Sequence, residues 1–123
     1  DKLNVVLPSA LVAGSKLAVI AAAVPQAISG AGAITLTEFK TEITTTGVDA
    51  FTLADATVVG TVKKIKMIVD GGDGTLTPAN LHLASTITFS VVGDEVTLIW
   101  NGTTWVIIDD SSVLGTGATP VAA

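Results

Sequence analysis

The chain of 123 residues has no cysteine, no arginine, no tyrosine and a single histidine, and it is poor in charge of either sign. Without cysteine there is neither a disulfide framework nor thiolate metal ligation, and cysteine usage says nothing about redox compartment. Basic residues number six, all lysine, and the net charge is −5. Phosphate binding needs clustered cations that displace counterions, so nucleic acid is not an expected partner. The one basic cluster, Lys63, Lys64 and Lys66, reads as a solvated strand face. Charged residues make up 14% and hydrophobic residues 49%, whereas soluble domains average roughly one quarter charged. Such a surface is adhesive unless partners cover it.

Long apolar runs are missing too. The longest uncharged stretch, Leu17 to Thr37, is broken by Pro25, Gln26, Ser29, Gly30 and Gly32. A bilayer-spanning helix needs about 20 mainly apolar residues, so no membrane span is expected. KLAVIAAAVPQA has the short apolar run and small residues of a signal peptide, but polar interruptions and the lack of a preceding methionine count against that reading.

Catalytic constellations are equally sparse. His82 lies between two leucines in ANLHLAS, with no triad motif around it, and reads as a loop or interface histidine. Glu38 with Glu42 is the one carboxylate pair spaced for acid–base work. Asp94–Glu95 and Asp109–Asp110 are adjacent, and neighbours in a strand point to opposite faces. DGGDGT, Asp70 to Thr75, has the look of a calcium loop, but it offers two carboxylates, and Gly-Asp clusters are ordinary turn chemistry. No GK[ST] follows it, which excludes a phosphate loop. No metal or cofactor is expected, and metal should not be needed for folding.

What the sequence does contain is threonine-rich alternation. In ITLTEFKTEITTT, Ile34, Leu36 and Glu38 share one face and Thr35, Thr37 and Phe39 the other, with a switch near Glu38–Phe39 that predicts two strands or one bent strand. An imperfect repeat follows: AFTL, VVG and VKKIKMIVDGGDGTLTP are echoed by TITF, VVG and EVTLIWNGTTWVII. Each copy reads as a strand, a glycine turn and a hairpin. The first hairpin is expected to turn on Asp70–Gly74 and the second on Asn101–Gly102, a two-residue primed turn. A tight second turn places Leu98 opposite Trp105 and Val96 opposite Ile107, leaving Ile99, Val106 and Ile108 on a second apolar face. Trp100 and Trp105 read as core or interface, with a sugar-stacking platform as the alternative.

The fold expected is all-β, an antiparallel β-sandwich or barrel-like domain over residues 34–123, preceded by an N-terminal arm over residues 1–33 that ends in the hinge ISGAGA. In the arm, alanine propensity favours helix while Gly14, Ser15 and Val19–Ile20 favour an extended chain, and both stay open. Alternation assigns the core to Ile65, Met67, Val69, Leu76, Ile87, Phe89, Val96, Leu98 and Trp105. Apolar residues of the arm, Leu17, Val19, Ile20 and Val24 among them, are expected to dock on a neighbour, and Ile99, Val106 and Ile108 to meet another subunit.

From Ile34 to Asp109 the chain resembles small structural proteins and domains of tailed bacteriophages, those found as head decoration (cement) proteins and as modules of tail fibres or spikes. The resemblance rests on the VDGGDGT-x-TP turn and the closing GD-x-VTL-x-WNG-x-x-WVI hairpin. It departs in the N-terminal third, which matches no such module, and at LHLAS, which lacks the glycine or asparagine expected before the last sheet. The resemblance implies a β fold, homotrimeric assembly, binding to the major capsid protein or other virion proteins, no catalysis, and a place on the outer capsid surface of the virion. Taken as a whole protein, 123 residues with an apolar arm suit a cement molecule. Taken as a fragment of a longer chain, they suit a tail fibre or spike module for host attachment. A secreted carbohydrate-binding module and an acid–base hydrolase are the readings from other classes.

Overall fold

The computed structural model describes residues 24–110 and 121–122, and among these it is all-β, with no helix. In chain order the strands are β1 (Gln26–Ser29), β2 (Gly32–Ile34), β3 (Lys40–Thr44), β4 (Asp49–Leu53), β5 (Val62–Val69), β6 (Gly74–Pro78), β7 (Ile87–Phe89), β8 (Glu95–Trp100), β9 (Trp105–Asp110) and β10 (Val121–Ala122). They form two five-stranded sheets, ordered β1-β3-β5-β8-β9 and β2-β4-β6-β7-β10.

The two orders run in step. Each strand of the first sheet has a counterpart of the same rank in the order of the second, and each such pair is here a tier. From β1 to β6 the chain alternates between the sheets, and like strands pair in parallel: β1 with β3 with β5, and β2 with β4 with β6. The last two tiers reverse direction, with β7, β8, β9 and β10 all pairing antiparallel. Both sheets are therefore mixed, where an antiparallel arrangement is expected from the sequence, and neither closes into a barrel.

Side chains of both sheets enter one hydrophobic cluster. Ile43, Ile65, Met67, Val96, Leu98, Trp100 and Trp105 come from the first sheet, and Ile34, Phe51, Leu53, Leu76, Ile87 and Phe89 from the second. Period-2 alternation produces this directly, as in β8, where Val96, Leu98 and Trp100 point inward and Glu95, Thr97 and Ile99 outward. Of the core positions read from the sequence, Val69 alone differs. It is 47% exposed, because β5 runs beyond the alternating stretch and its last two residues both meet solvent.

The face switch near Glu38–Phe39 is the gap between two strands, β2 and β3, which lie in different sheets. The stretch Gln26 to Ala33, grouped with the arm by composition, supplies β1 and most of β2. Residues 1–23, which hold Leu17, Val19 and Ile20, lie outside the described residues. Val24 is described and is 70% exposed.

Asp70–Gly74 is a crossover, not a hairpin turn. β5 and β6 belong to different sheets, and the loop between them rests on the loop one tier earlier. Thr45 N donates to Val69 O at 3.1 Å and Asp49 N to Asp73 O at 3.0 Å. The buried Thr45 hydroxyl joins the same contact, accepting from Gly71 N at 2.8 Å and lying 2.6 Å from Gly72 O. Replacing Thr45 by valine keeps the shape and leaves buried backbone groups without a partner. The expected cost is about 1–3 kcal/mol, read from chemical denaturation with an unchanged m-value.

The second hairpin is looser than a two-residue turn. Its loop runs Asn101 to Thr104, with the Asn101 side chain accepting from Thr103 N (2.9 Å) and Thr104 N (2.8 Å). The register therefore shifts: Trp100 faces Trp105, Ile99 faces Val106 and Leu98 faces Ile107, with an irregularity beyond Leu98 that sets Val96 against Asp110. The asparagine that signals a primed turn acts here by folding its own side chain over the loop.

Candidate interaction surfaces

Among the described residues the connections between strands lie at two ends of the tier stack. At one end, the upper, are the turns at Gly30–Ala31, 45–48, 70–73 and 90–94. At the other, the lower, are the loops 35–39, 54–61, 79–86 and 101–104. Most of these loops are held to the adjacent tier by backbone bonds, for example Gly30 N to Thr44 O and Gly93 N to Met67 O above, and Lys64 N to Phe39 O and Gly60 N to Trp100 O below. These loops are positioned by the sheets and carry most of the exposed apolar side chains. Val48, Val91 and Val92 are exposed above, beside Val69. Leu36, Phe39, Val58, Val59 and Leu83 are exposed below.

Leu83 is the extreme case. It is 91% exposed and has φ of 64°, the one non-glycine residue with positive φ among those described. A side chain in this left-handed region crowds its own backbone, at a cost of roughly 1–2 kcal/mol. The segment leading to it is firmly tied. Ala79 N donates to Leu53 O, Trp105 N to Asn80 O at 2.8 Å and His82 N to Trp105 O at 2.9 Å, while the Asn80 amide donates to both oxygens of Asp55. Leu81 packs on the core. His82 is an exposed loop residue, the setting its lack of motif predicts.

The outer face of the first sheet supplies a different surface. Val62, Ile99 and Val106 are aligned across three strands by the pairs Val62–Ile99 and Ile99–Val106, all half-buried, with Ile108 exposed beyond them. Toward the upper end the same face turns charged, with Lys40 3.6 Å from Glu42 and Lys64 3.7 Å from Glu95. Exposed pairs of this kind contribute ~0–1 kcal/mol each and mainly keep the face hydrated.

Lys63 departs from the solvated reading of the lysine cluster. Lys64 and Lys66 point outward, but Lys63 shares its parity with Ile65 and Met67 and is 1% exposed. Its ammonium donates to Glu38 O at 2.8 Å. Burial pushes its pKa down to about 8, against the opposing attraction of the Glu38 carboxylate. The Glu38 carboxyl itself is held below its usual range, chiefly by the Thr35 hydroxyl that donates to it. Strand parity was the signal for Lys63, and three lysines in four residues masked it.

Asp94 is also fully buried. One oxygen accepts from Ser90 N (2.8 Å) and Val91 N (3.2 Å), which closes the turn around Gly93, and the other oxygen has no hydrogen-bond partner among the described residues. Glu95, next in sequence, points outward to Lys64. Glu42 is engaged by Lys40 and Glu38 by Thr35, so the two are in separate settings. Asp70 accepts from Gly72 N and thereby closes its own turn. Among the described residues no three His, Cys, Asp or Glu side chains are grouped to hold a metal ion, and no helix is long and apolar enough to cross a membrane.

Trp100 and Trp105 meet at 5.5 Å between ring centroids, tilted by 60°, and both are buried. The indole of Trp105 donates to Ala54 O at 3.0 Å. As buried rings these two offer no stacking platform to a sugar. No family model matches the chain, and no curated protein matches it. Its function must therefore be argued from these surfaces.

Proposed function

We propose that this chain is a non-catalytic structural component of a tailed-phage particle, a β-sandwich with an N-terminal arm that works by binding protein. Its partners are other copies of itself, as a homotrimer in the assembly the resemblance implies, and the major capsid protein or another virion protein. The place that fits best is the outer surface of the head, as a decoration protein that stabilises the shell. One observation carries this reading: apolar side chains are displayed on backbone-tied loops at both ends of the tier stack. Holding such groups in place before binding lowers the ordering cost of association. Low overall charge supports protein partners over nucleic acid.

A second reading, a module of a tail fibre or spike, is favoured by the winding of β1 to β6. Parallel tiers that alternate between two sheets extend along one axis, as a shaft requires. The two readings differ in where the protein sits. Purified protein should bind heads that lack it and appear as ordered density on the shell by electron cryo-microscopy. Density confined to the tail would select the fibre reading, and failure to bind either part would overturn the virion role.

A further inference from the structure

We propose that Asn101 is a self-modifying residue: its side-chain amide is displaced by the Gly102 nitrogen, and the folded chain acquires an acid at that position. The inference is independent of any virion or partner. It starts from the loop of the β8–β9 hairpin, where Asn101, Gly102 and Thr103 are all exposed. This is the only asparagine–glycine step in the sequence, and asparagine is a thermolabile residue. The loop adds three features to the motif. Asn101 Oδ1 accepts from Thr103 N at 2.9 Å and from Thr104 N at 2.8 Å. Two N–H groups aimed at a carbonyl oxygen polarise the carbon behind it and stabilise the negative charge that builds on the oxygen under attack. The attacking nitrogen is next in the chain, so no second molecule has to be captured. Finally, the Gly102 N–H makes no hydrogen bond among the described residues, and glycine has no side chain to screen it.

The Gly102 nitrogen, after losing its proton to hydroxide, forms a bond to Asn101 Cγ. The Cγ–Nδ2 bond then breaks, and the amide leaves as ammonia after taking a proton from water. A succinimide ring remains. Water adds to one of its two carbonyl carbons and cuts that carbon from the ring nitrogen, giving aspartate when Cγ is cut free and isoaspartate when the main-chain carbon is. One water is consumed and one ammonia released overall. The hairpin suits the first product. A carboxylate at 101 keeps both N–H bonds and strengthens them by its charge. Isoaspartate lengthens the main chain inside a loop closed by Asn101 N to Thr104 O at 3.1 Å. Either product takes the net charge of −5 one unit further. The charge appears at the lower end beside Val59, whose Cγ2 lies 3.1 Å from where a Cβ at 102 would stand.

Asn80 is the internal control. It precedes Leu81, which packs on the core, and its Nδ2 donates to both oxygens of Asp55. The full chain, incubated in mildly alkaline buffer, is digested at intervals and its peptides are weighed by mass spectrometry. Asn101 should lose its amide several-fold faster than Asn80, with both aspartate and isoaspartate formed at 101. A parallel incubation in urea shows what the unfolded chain does. Loss at Asn101 no faster than at Asn80, or loss in urea alone, would overturn the proposal. Aspartate without isoaspartate would overturn the succinimide route. The Asn101→Asp variant should melt no lower than the parent, and a lower midpoint would overturn the claim that the hairpin accommodates the acid. None of these outcomes bears on binding to heads or tails.

Discussion

Replacing Lys63 by methionine is expected to raise the stability of the protein at neutral pH by roughly 1–2 kcal/mol, and to remove an alkaline rise in stability expected of the parent. The unfolded chain binds the Lys63 proton up to an ordinary lysine pKa of 10.5, while the folded chain releases it at about 8. Between those two values the unfolded state holds more protons, so stability climbs with pH through that window. The drop from 10.5 to about 8 corresponds to roughly 3 kcal/mol. Below pH 8 both states are protonated and the penalty is present in full. Methionine fills similar space without charge, and the loss of the bond to Glu38 O offsets part of the gain. Denaturation at a series of pH values from 7 to 10.5 (about the window just given) checks this as a difference between parent and variant. A variant no more stable than its parent at pH 7, or a difference that does not shrink with rising pH, would show that Lys63 is not held buried and charged.

Lys63 also marks what alternation reveals and what it hides. The core of β5, β6, β7 and β8 is legible because Ile65, Met67, Leu76, Ile87, Phe89, Val96 and Leu98 recur at every second position, and a strand turns alternate residues to the same face. The same parity carries Lys63 inward, where composition alone argues for solvent. Alternation fixes the face of a residue but says nothing of which strand lies beside it. That choice depends on loops. The two VVG turns illustrate this. Gly60 and Gly93 both have positive φ, and both turns lead from the second sheet into the first. Yet one crosses at the lower end and the other at the upper, because β7 runs opposite to β4 in the stack.

The surfaces were legible to a similar degree. Ile99 and Val106 read as a second apolar face from their alternation, and the structure sets them directly opposite one another, although by a register the tight-turn reading does not give. Val62 completes the row only through long-range pairing with β8. Leu83 carried no signal beyond the absence of glycine or asparagine in LHLAS, which is the site where a positive φ is in fact adopted. A left-handed leucine is invisible to propensity because propensity predicts against it.

Gly71→Ala is expected to cost about 3 kcal/mol, a large loss for the addition of a single methyl group. A Cβ at Gly71 would lie 2.2 Å from Thr45 O and 2.9 Å from Thr45 C. These are backbone atoms already committed to the stack, since Thr45 N bonds to Val69 O and the Thr45 hydroxyl to Gly71 N. They cannot move aside without separating the 70–73 crossover from the loop one tier earlier. Gly47 provides the control, because it lies in that earlier loop and a Cβ there meets nothing within 4 Å. Gly47→Ala should change stability by no more than about 0.5 kcal/mol. The contrast separates the crossover from a hairpin at the same residues. In a hairpin turn Gly71 would serve only its own backbone angles, and its contact with residue 45 would not exist. Equal midpoints for the two variants in urea would show that residues 70–73 do not rest on the preceding tier, and with that the parallel stacking of β5 and β6 on β3 and β4 would fall.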